Sequence, residues 1–374
     1  MISIVLVAGG TAGHTSPMIA TAEAITQADP SARLLCVGTA KGLETTVVPA
    51  AGLPLRLIPA VPWPRRLNAD MVRLPFRLWD ATRQASAILR EVGADVVAGF
   101  GGYVSLPVYL AARRAKVPVV VQEQNALPGM ANKVAARFAH AVLTSFPGTP
   151  IRGAQFTGMP VRRAISDMAL KGRTVDQVAA RGEFDLPTSG PVLLVSGGSQ
   201  GAARLNDAIL GARDRLLDAG ISVLHVWGAL NYPEDAEVIE AAGGARYVPW
   251  SFVEEMAHAY AAADLMLARG GASTVSETGS VGLPCIYVPF PHGNGEQWRN
   301  SASLIEAGAG VLVADEELTP DKVVELVLPL CGDPDRLAGM GQTALSVFRP
   351  DSADGGSSAG RVAAVILDAG GGDV

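Results

Sequence analysis

Twice in this chain a run of apolar residues ends in paired glycines and passes into a helical pattern. The first run is Ile2–Ala8, closed by Gly9-Gly10; the second is Pro191–Ser196, closed by Gly197-Gly198-Ser199-Gln200-Gly201. Consecutive apolar residues, rather than one at every second position, fit strands covered on both faces, as in a parallel sheet. Glycines at the end of such a strand let the backbone turn sharply and expose its N–H groups. The two openings lie roughly two hundred residues apart, about one domain length. Strand-like runs at Leu34–Val37, Leu55–Ile58, Val92–Ala98 and Pro118–Val121 follow the first opening, with helical patterns at Ser16–Ile25, Glu44–Ala51 and Leu106–Ala115. Ser222–Trp227, Arg246–Val248, Asp264–Ala268 and Pro284–Val288 follow the second, with helices over Ala202–Leu210 and Met256–Ala263. Strands alternating with helices predict an α/β chain of two similar parallel-sheet domains. The join is expected near Gly158–Arg173, where Lys171-Gly172-Arg173 reads as a polar linker.

Composition narrows the function. The formal net charge of -6 argues against a general nucleic-acid binder. Cys36, Cys285 and Cys331 are far apart and form no Cys-x-x-Cys pair, so neither a zinc ribbon nor a disulfide framework is expected, and a reducing cytosol fits. The N-terminal apolar run lacks a basic flank and is too short for a signal peptide. No apolar run reaches the ~18 residues that a membrane-spanning helix needs.

The stretch Arg269–Asn300 carries most of the chemistry. Its Gly270-Gly271 pair precedes Thr274-Val275-Ser276-Glu277, and a glycine turn at a helix start suits a phosphate. Thr274-x-x-Glu277 has the capping-box pattern, but the preceding Gly270-Gly271 and the strand end favour Glu277 as an acceptor for two ribose hydroxyls. A polar loop, His292–Gln297, then offers Asn294, Glu296 and Gln297 for sugar hydroxyls. The first turn, Gly9-Gly10-Thr11-Ala12-Gly13-His14, lacks the spacing of a dinucleotide or ATP loop. Its His14 is a candidate general base, or a helix-end histidine bonded to backbone. Gln122-Glu123-Gln124-Asn125 puts four polar residues at a strand end, with Glu123 either an acid/base group or an orienting carboxylate. Gly197-x-Ser199-x-Gly201 matches a nucleophile elbow, for which Asp264 and His292 are nominal partners. Two glycine turns suit a phosphorylated ligand better. Asp333-x-Asp335 reads as a turn with helix capping, and no other cluster has metal-ligand spacing. Six arginines against two aspartates in residues 59–90, with Val72, Phe76 and Trp79 at helical spacing, describe a face for an anionic membrane surface or a face packed on the sheet.

With these residues assembled, the chain resembles glycosyltransferase family 28, the bacterial N-acetylglucosaminyltransferases of peptidoglycan synthesis. The likeness lies in GGTAGHTSP, FGGYVSLP, QEQNALPG, TGMPVR, GGSQGAARLN, RGGASTVSE and GLPCIYVPFPHGNGEQ, in that order along nearly the whole chain. It implies a GT-B fold: two Rossmann-like parallel-sheet domains facing a cleft, 1–160 and 161–346, with a C-terminal helix at about 347–369 crossing back to the first. It implies transfer of N-acetylglucosamine from UDP-N-acetylglucosamine to the C4 hydroxyl of lipid I, with inversion, giving lipid II. No cofactor and no metal are expected. The expected location is the cytoplasmic face of the cell membrane, held peripherally by anionic lipid, with proteins of cell-wall synthesis and division as further partners.

The resemblance also assigns roles. Thr11, Ala12, Gly13 and Asn125 belong near the transferred sugar and the acceptor. Arg162 and Ser199 meet the diphosphate, and Val253 holds uracil through its backbone. Ala272, Ser273, Thr274, Val275, Ser276 and Glu277 cradle the nucleotide, with Glu277 on the ribose. Glu296 and Gln297 read sugar hydroxyls, and His14 is the base, with Glu123 beside it in the catalytic set. Three positions depart from the family pattern: Ala12 stands for a common Gly, Gln122 for a common His, and Glu296 for the first of a common Gln pair.

Overall fold

A computed structural model describes residues 1–10, 12–62, 69–198, 201–291, 295–348 and 356–371. The chain divides into two compact units, Met1–Arg162 with Pro350–Val374, and Arg163–Arg349.

The first unit holds seven parallel strands: β1 (Ser3–Val7), β2 (Arg33–Gly38), β3 (Leu55–Leu57), β4 (Val96–Gly99), β5 (Val119–Glu123), β6 (Ala141–Thr144) and β7 (Ala154–Phe156). Their order across the sheet is β3-β2-β1-β4-β5-β6-β7. Its helices are α1 (Ala12–Ala28), α2 (Glu44–Ala50), α3 (Ala69–Val92), α4 (Ser105–Ala115) and α5 (Met130–Ala135). The apolar run Ile4–Val7 of β1 follows from its position. Ile4 and Leu6 pack with Met18 and Ile25 of α1, while Val5 and Val7 pack on the other face with Ala85 and Leu89 of α3 and Val108 of α4. Successive side chains on a strand point to opposite faces, and both faces here are covered. Each such side chain, fully buried, contributes ~1.5–3 kcal/mol.

The second unit repeats the plan with β8 (Val192–Ser196), β9 (Ser222–Val226), β10 (Ile239–Glu240), β11 (Arg246–Trp250), β12 (Leu265–Ala268), β13 (Cys285–Tyr287) and β14 (Gly310–Leu312). The order is β10-β11-β9-β8-β12-β13-β14, parallel except where the two-residue β10 runs against β11. Its helices are α6 (Arg163–Lys171), α7 (Gln177–Glu183), α8 (Ala203–Asp218), α9 (Met256–Ala262), α10 (Ala272–Val281), α11 (Glu296–Glu306), α12 (Pro320–Cys331) and α13 (Pro334–Val347). Leu193 and Val195 of β8 pack under Leu205 and Ile209 of α8 and Val323 and Val327 of α12. The last helix, α14 (Ser358–Ala369), belongs to the first unit, where Val362 and Ile366 join the core beside α1. Arg361 Nη2 donates to Thr157 O at 2.9 Å and Ser357 caps the helix.

Several local expectations need correcting. The strand read from Val92 begins at Val96, because α3 runs on to Val92. Helix α1 starts at Ala12, so Gly13 and His14 lie on the helix and not in the turn. Gln122 and Glu123 are the last residues of β5. Lys171-Gly172-Arg173 is not a linker. Lys171 ends α6, and Arg173 Nη1 donates to Tyr260 O at 3.2 Å and to Ala263 O, tying this segment to α9. The three cysteines are buried and free.

Candidate active site

In each sheet the chain leaves one strand in one direction and its neighbour in the other: β1 and β4 in the first unit, β8 and β12 in the second. Ligands of open α/β sheets bind beyond the carboxyl ends of the strands at such a switch point. The glycine turns lie there. Gly9-Gly10 follows β1, Gly197-Gly198 follows β8, and Gly270-Gly271 follows β12.

In the first unit the turn after β1 is held by a residue that sequence patterns passed over. Glu44, 0% exposed, accepts from Gly10 N at 3.2 Å, Thr39 N at 2.8 Å and Thr39 Oγ1 at 2.7 Å. Burial alone would raise its pKa; the hydrogen bonds from Thr39 and Gly10 outweigh that and hold it below the ordinary value. His14 lies on the first turn of α1, against the loop before α4: a methyl group added at Gly101 would come within 2.8 Å of its Cδ2 and 3.1 Å of its Nε2. Burial lowers the His14 pKa to about 4, against the opposing pull of the Glu44 charge. The imidazole is therefore neutral at pH 7 and able to accept a proton.

Glu123 is 2% exposed. Its carboxylate accepts from Asn125 N at 2.9 Å, Gly129 N at 2.9 Å and Asn132 Nδ2 at 2.8 Å. Tyr109 Oη donates to Asn132 Oδ1 at 2.9 Å and extends the chain. Burial raises the Glu123 pKa against these donors. The geometry favours the orienting role: Glu123 shapes the turn that carries Asn125. Gln122 is also buried, with Nε2 donating to Ser145 Oγ at 3.0 Å and no partner for Oε1 among the described residues. Arg162 is the last residue of the first unit before α6. Thr11 and the side chain of Ala12 lie outside the described residues, as do Ser199, His292 and Asn294.

In the second unit, helices α8 and α10 both begin without a side-chain cap, at Ala202 and Gly271. Their first N–H groups are thus donors for an anion. The capping-box alternative fails here. With Gly271 as N-cap, Thr274 sits inside the helix, and Glu277 instead accepts from Tyr260 Oη at 2.7 Å. Ala272, Ser273, Thr274 and Val275 form the opening turn, while Ser276 is fully buried, its hydroxyl without a partner among the described residues. Of the polar loop expected over 292–297, Glu296 and Gln297 open α11. Gln297 Oε1 accepts from Phe290 N at 2.8 Å. A methyl group added at Gly270 would come within 2.7 Å of Gln297 O, so the starts of α10 and α11 abut. Arg269 Nη1 clamps the same corner, donating to Val288 O at 3.1 Å and pairing with Asp315 at 2.5 Å. Val253 is 7% exposed between β11 and α9, after the half-exposed Phe252.

Asp264 lies away from the carboxyl end of β8, where the hydrolase reading would need an acid. It stands at the amino end of β12, where Arg181 Nη2 at 2.7 Å and Val192 N at 2.8 Å hold it, a strand length from the turn after β8. Asp333 caps α13 by accepting from Arg336 N at 3.0 Å.

Residues 4–144 match the N-terminal domain of glycosyltransferase family 28, and residues 192–354 match its C-terminal domain. The chain belongs to glycosyltransferase family 28. Among family relatives, a protein of Cutibacterium acnes is 53% identical over 87% of this chain and 87% of its own length. One of a Nocardioides species is 47% identical over 98% of both chains. Each is named UDP-N-acetylglucosamine--N-acetylmuramyl-(pentapeptide) pyrophosphoryl-undecaprenol N-acetylglucosamine transferase. The crystal structure of MurG from Acinetobacter baumannii is 26% identical and superposes with a TM-score of 0.77, covering 98% of this chain and 100% of that one. The family 28 chain is thus a glycosyltransferase of GT-B fold, built from two Rossmann-like domains.

A buried network backs the family 28 turn after β8. His225 Nδ1 lies 3.0 Å from Tyr247 Oη and Nε2 lies 3.2 Å from Asn206 Oδ1. Trp227 Nε1 donates to Tyr247 Oη at 3.1 Å, and Asn206 Nδ2 to Trp227 O at 3.4 Å. The pattern closes with a neutral imidazole protonated at Nε2. Burial takes the His225 pKa down to about 3. His14 and His225 both have folded pKa values below the unfolded 6.5, so the unfolded chain binds their protons first. Stability is expected to be full above about pH 6.5 and to fall as pH drops toward 4 and then 3. Urea melts of wild type and His225→Gln between pH 7 and 4.5 check this: the variant should lose less stability across that range.

Proposed function

We propose that this chain transfers N-acetylglucosamine from UDP-N-acetylglucosamine to the C4 hydroxyl of the muramoyl sugar of lipid I, releasing UDP and giving lipid II. The observation that carries the reading is the 47% identity over 98% of both chains with an enzyme named for that transfer. The second unit takes the donor. The diphosphate lies over the N-termini of α8 and α10 with Arg162 and Ser199, the ribose on Glu277, the uracil at the backbone of Val253, and the sugar hydroxyls on Glu296 and Gln297. The first unit takes the acceptor, around Thr11, Ala12, Gly13 and Asn125. The reaction is one in-line displacement with inversion: His14 takes the proton from the C4 hydroxyl, its oxygen bonds to the anomeric carbon, and the bond to UDP breaks. Charge develops on the leaving diphosphate, where fixed N–H donors act with no reorganisation; one such donor is worth about 2.7–4 kcal/mol.

Incubation of the purified chain with radiolabelled donor and a lipid I analogue tests the reading. Label should pass to the lipid-linked product only when the acceptor is present. Release of free sugar or formation of an epimer without acceptor would overturn it.

The acceptor carries a lipid, which bears on α3. Leu74, Ala81, Ala85 and Leu89 turn inward, while Phe76 and Trp79 remain 74% and 62% exposed among the exposed Arg73, Arg77 and Arg83. Aromatic residues among arginines suit an anionic bilayer surface, and no described helix is long and apolar enough to cross one. The proposed location is the cytoplasmic membrane face, held peripherally; proteins of cell-wall synthesis and division are proposed neighbours. Replacing Phe76 and Trp79 together by alanine is expected to weaken binding to phosphatidylglycerol vesicles about tenfold or more. Co-sedimentation measures it, and unchanged binding would remove α3 from the membrane contact.

A further inference from the structure

Glu277 does not stand alone on α10. Tyr260, 2% exposed and 17 residues earlier on α9, donates its phenol proton to Glu277 Oε2 at 2.7 Å. The phenol is itself held in place. The backbone carbonyl of Tyr260 accepts from Arg173 Nη1 at 3.2 Å, and Arg173 also reaches the carbonyl of Ala263, the C-cap of the same helix. Arg181 braces the same helix end, with Nε on Ala262 O at 3.1 Å and Nη2 on Asp264 Oδ2 at 2.7 Å. Two arginines from the segment after α6 thus fix α9, α9 fixes the phenol, and the phenol fixes one carboxylate oxygen.

A glutamate on a helix face has three rotatable bonds, and a sugar diol is read only by a carboxylate held at one angle. A donor on Oε2 restrains the last rotation and fixes the plane in which the carboxylate oxygens accept. Nothing in the reaction consumes the phenol proton.

We propose that Tyr260 is a positioning residue that gives the donor site its preference for a ribonucleotide, by holding the Glu277 carboxylate at the angle that accepts the 2′- and 3′-hydroxyls. This rests on the reading of Glu277 as the ribose acceptor. It assigns Tyr260 to nucleotide selection and not to chemistry, so its removal acts on donor affinity and leaves the chemical step in place.

The test uses isothermal titration of the full chain with UDP and with 2′-deoxy-UDP, and steady-state kinetics with UDP-N-acetylglucosamine. Wild type should bind UDP about tenfold more tightly than 2′-deoxy-UDP. Tyr260→Phe removes one oxygen and keeps the ring in the core. It should weaken UDP about three- to tenfold, leave 2′-deoxy-UDP within about twofold, and raise KM for the donor by the same factor with kcat unchanged. Glu277→Gln should abolish the preference, and adding Tyr260→Phe to it should bring no further loss. Equal weakening of both nucleotides by Tyr260→Phe would show a general packing role and overturn the proposal. An intact preference in Tyr260→Phe, with the preference lost in Glu277→Gln, would also overturn it while leaving the ribose reading in place. A preference that survives Glu277→Gln would instead remove the ribose reading, and this proposal with it.

Discussion

Replacing His14 by alanine is expected to lower kcat about 10²–10⁴-fold, the usual worth of a positioned general base, with much less change in donor KM. The imidazole is held neutral, its pKa lowered to about 4 by burial, so it can accept a proton at neutral pH. A base of that strength is weak in water. Here the buried Glu44 carboxylate opposes the desolvation and favours the imidazolium that forms during transfer. Single-turnover kinetics with saturating donor separates the chemical step from binding. If His14→Ala kept more than about a tenth of the wild-type rate, the base would have to be another group.

The substitution Gly201→Ala is expected to damage the donor side as severely. Gly201 has φ 78, in the left-handed region, and a Cβ there would lie 2.1 Å from Trp227 O and 2.7 Å from Asn231 Nδ2. Trp227 cannot yield easily, because its carbonyl and indole belong to the network of Asn206, Tyr247 and His225. The left-handed backbone alone disfavours alanine by roughly 1–2 kcal/mol; relieving the clash must move the turn after β8, whose N–H groups are the proposed diphosphate donors. UDP affinity should fall about tenfold or more and kcat/KM about 10²-fold, with melting lowered by about 2–8 °C. Gly243→Ala is the control: no atom lies within 4 Å of its Cβ position. It should leave both measurements within error. Normal UDP binding by Gly201→Ala would detach this turn from the donor site.

The fold was legible in sequence because β1 and β8 carry consecutive apolar residues, Ile4–Val7 and Val192–Val195, a consequence of helices on both faces, and because glycines mark their ends. Element limits were not. Val92 is apolar enough for a strand, yet it ends α3, and its neighbours decide that only in three dimensions. Lys171-Gly172-Arg173 looked solvated because its composition is polar; the partners of Arg173 are backbone carbonyls about ninety residues away in the chain. The same limit applies to the site. Glycine turns and Glu277 announce themselves locally. Glu44, Tyr260 and the Arg269–Asp315 pair act through long-range hydrogen bonds, and no spacing rule points to them. The capping-box alternative falls because Gly271, with no side chain to offer, is the N-cap of α10.

The most direct measurement is a crystal structure of this chain with UDP bound. The account predicts the diphosphate over the first turns of α8 and α10, with the ribose hydroxyls on Glu277. A uridine bound away from the carboxyl ends of β8 and β12 would contradict it.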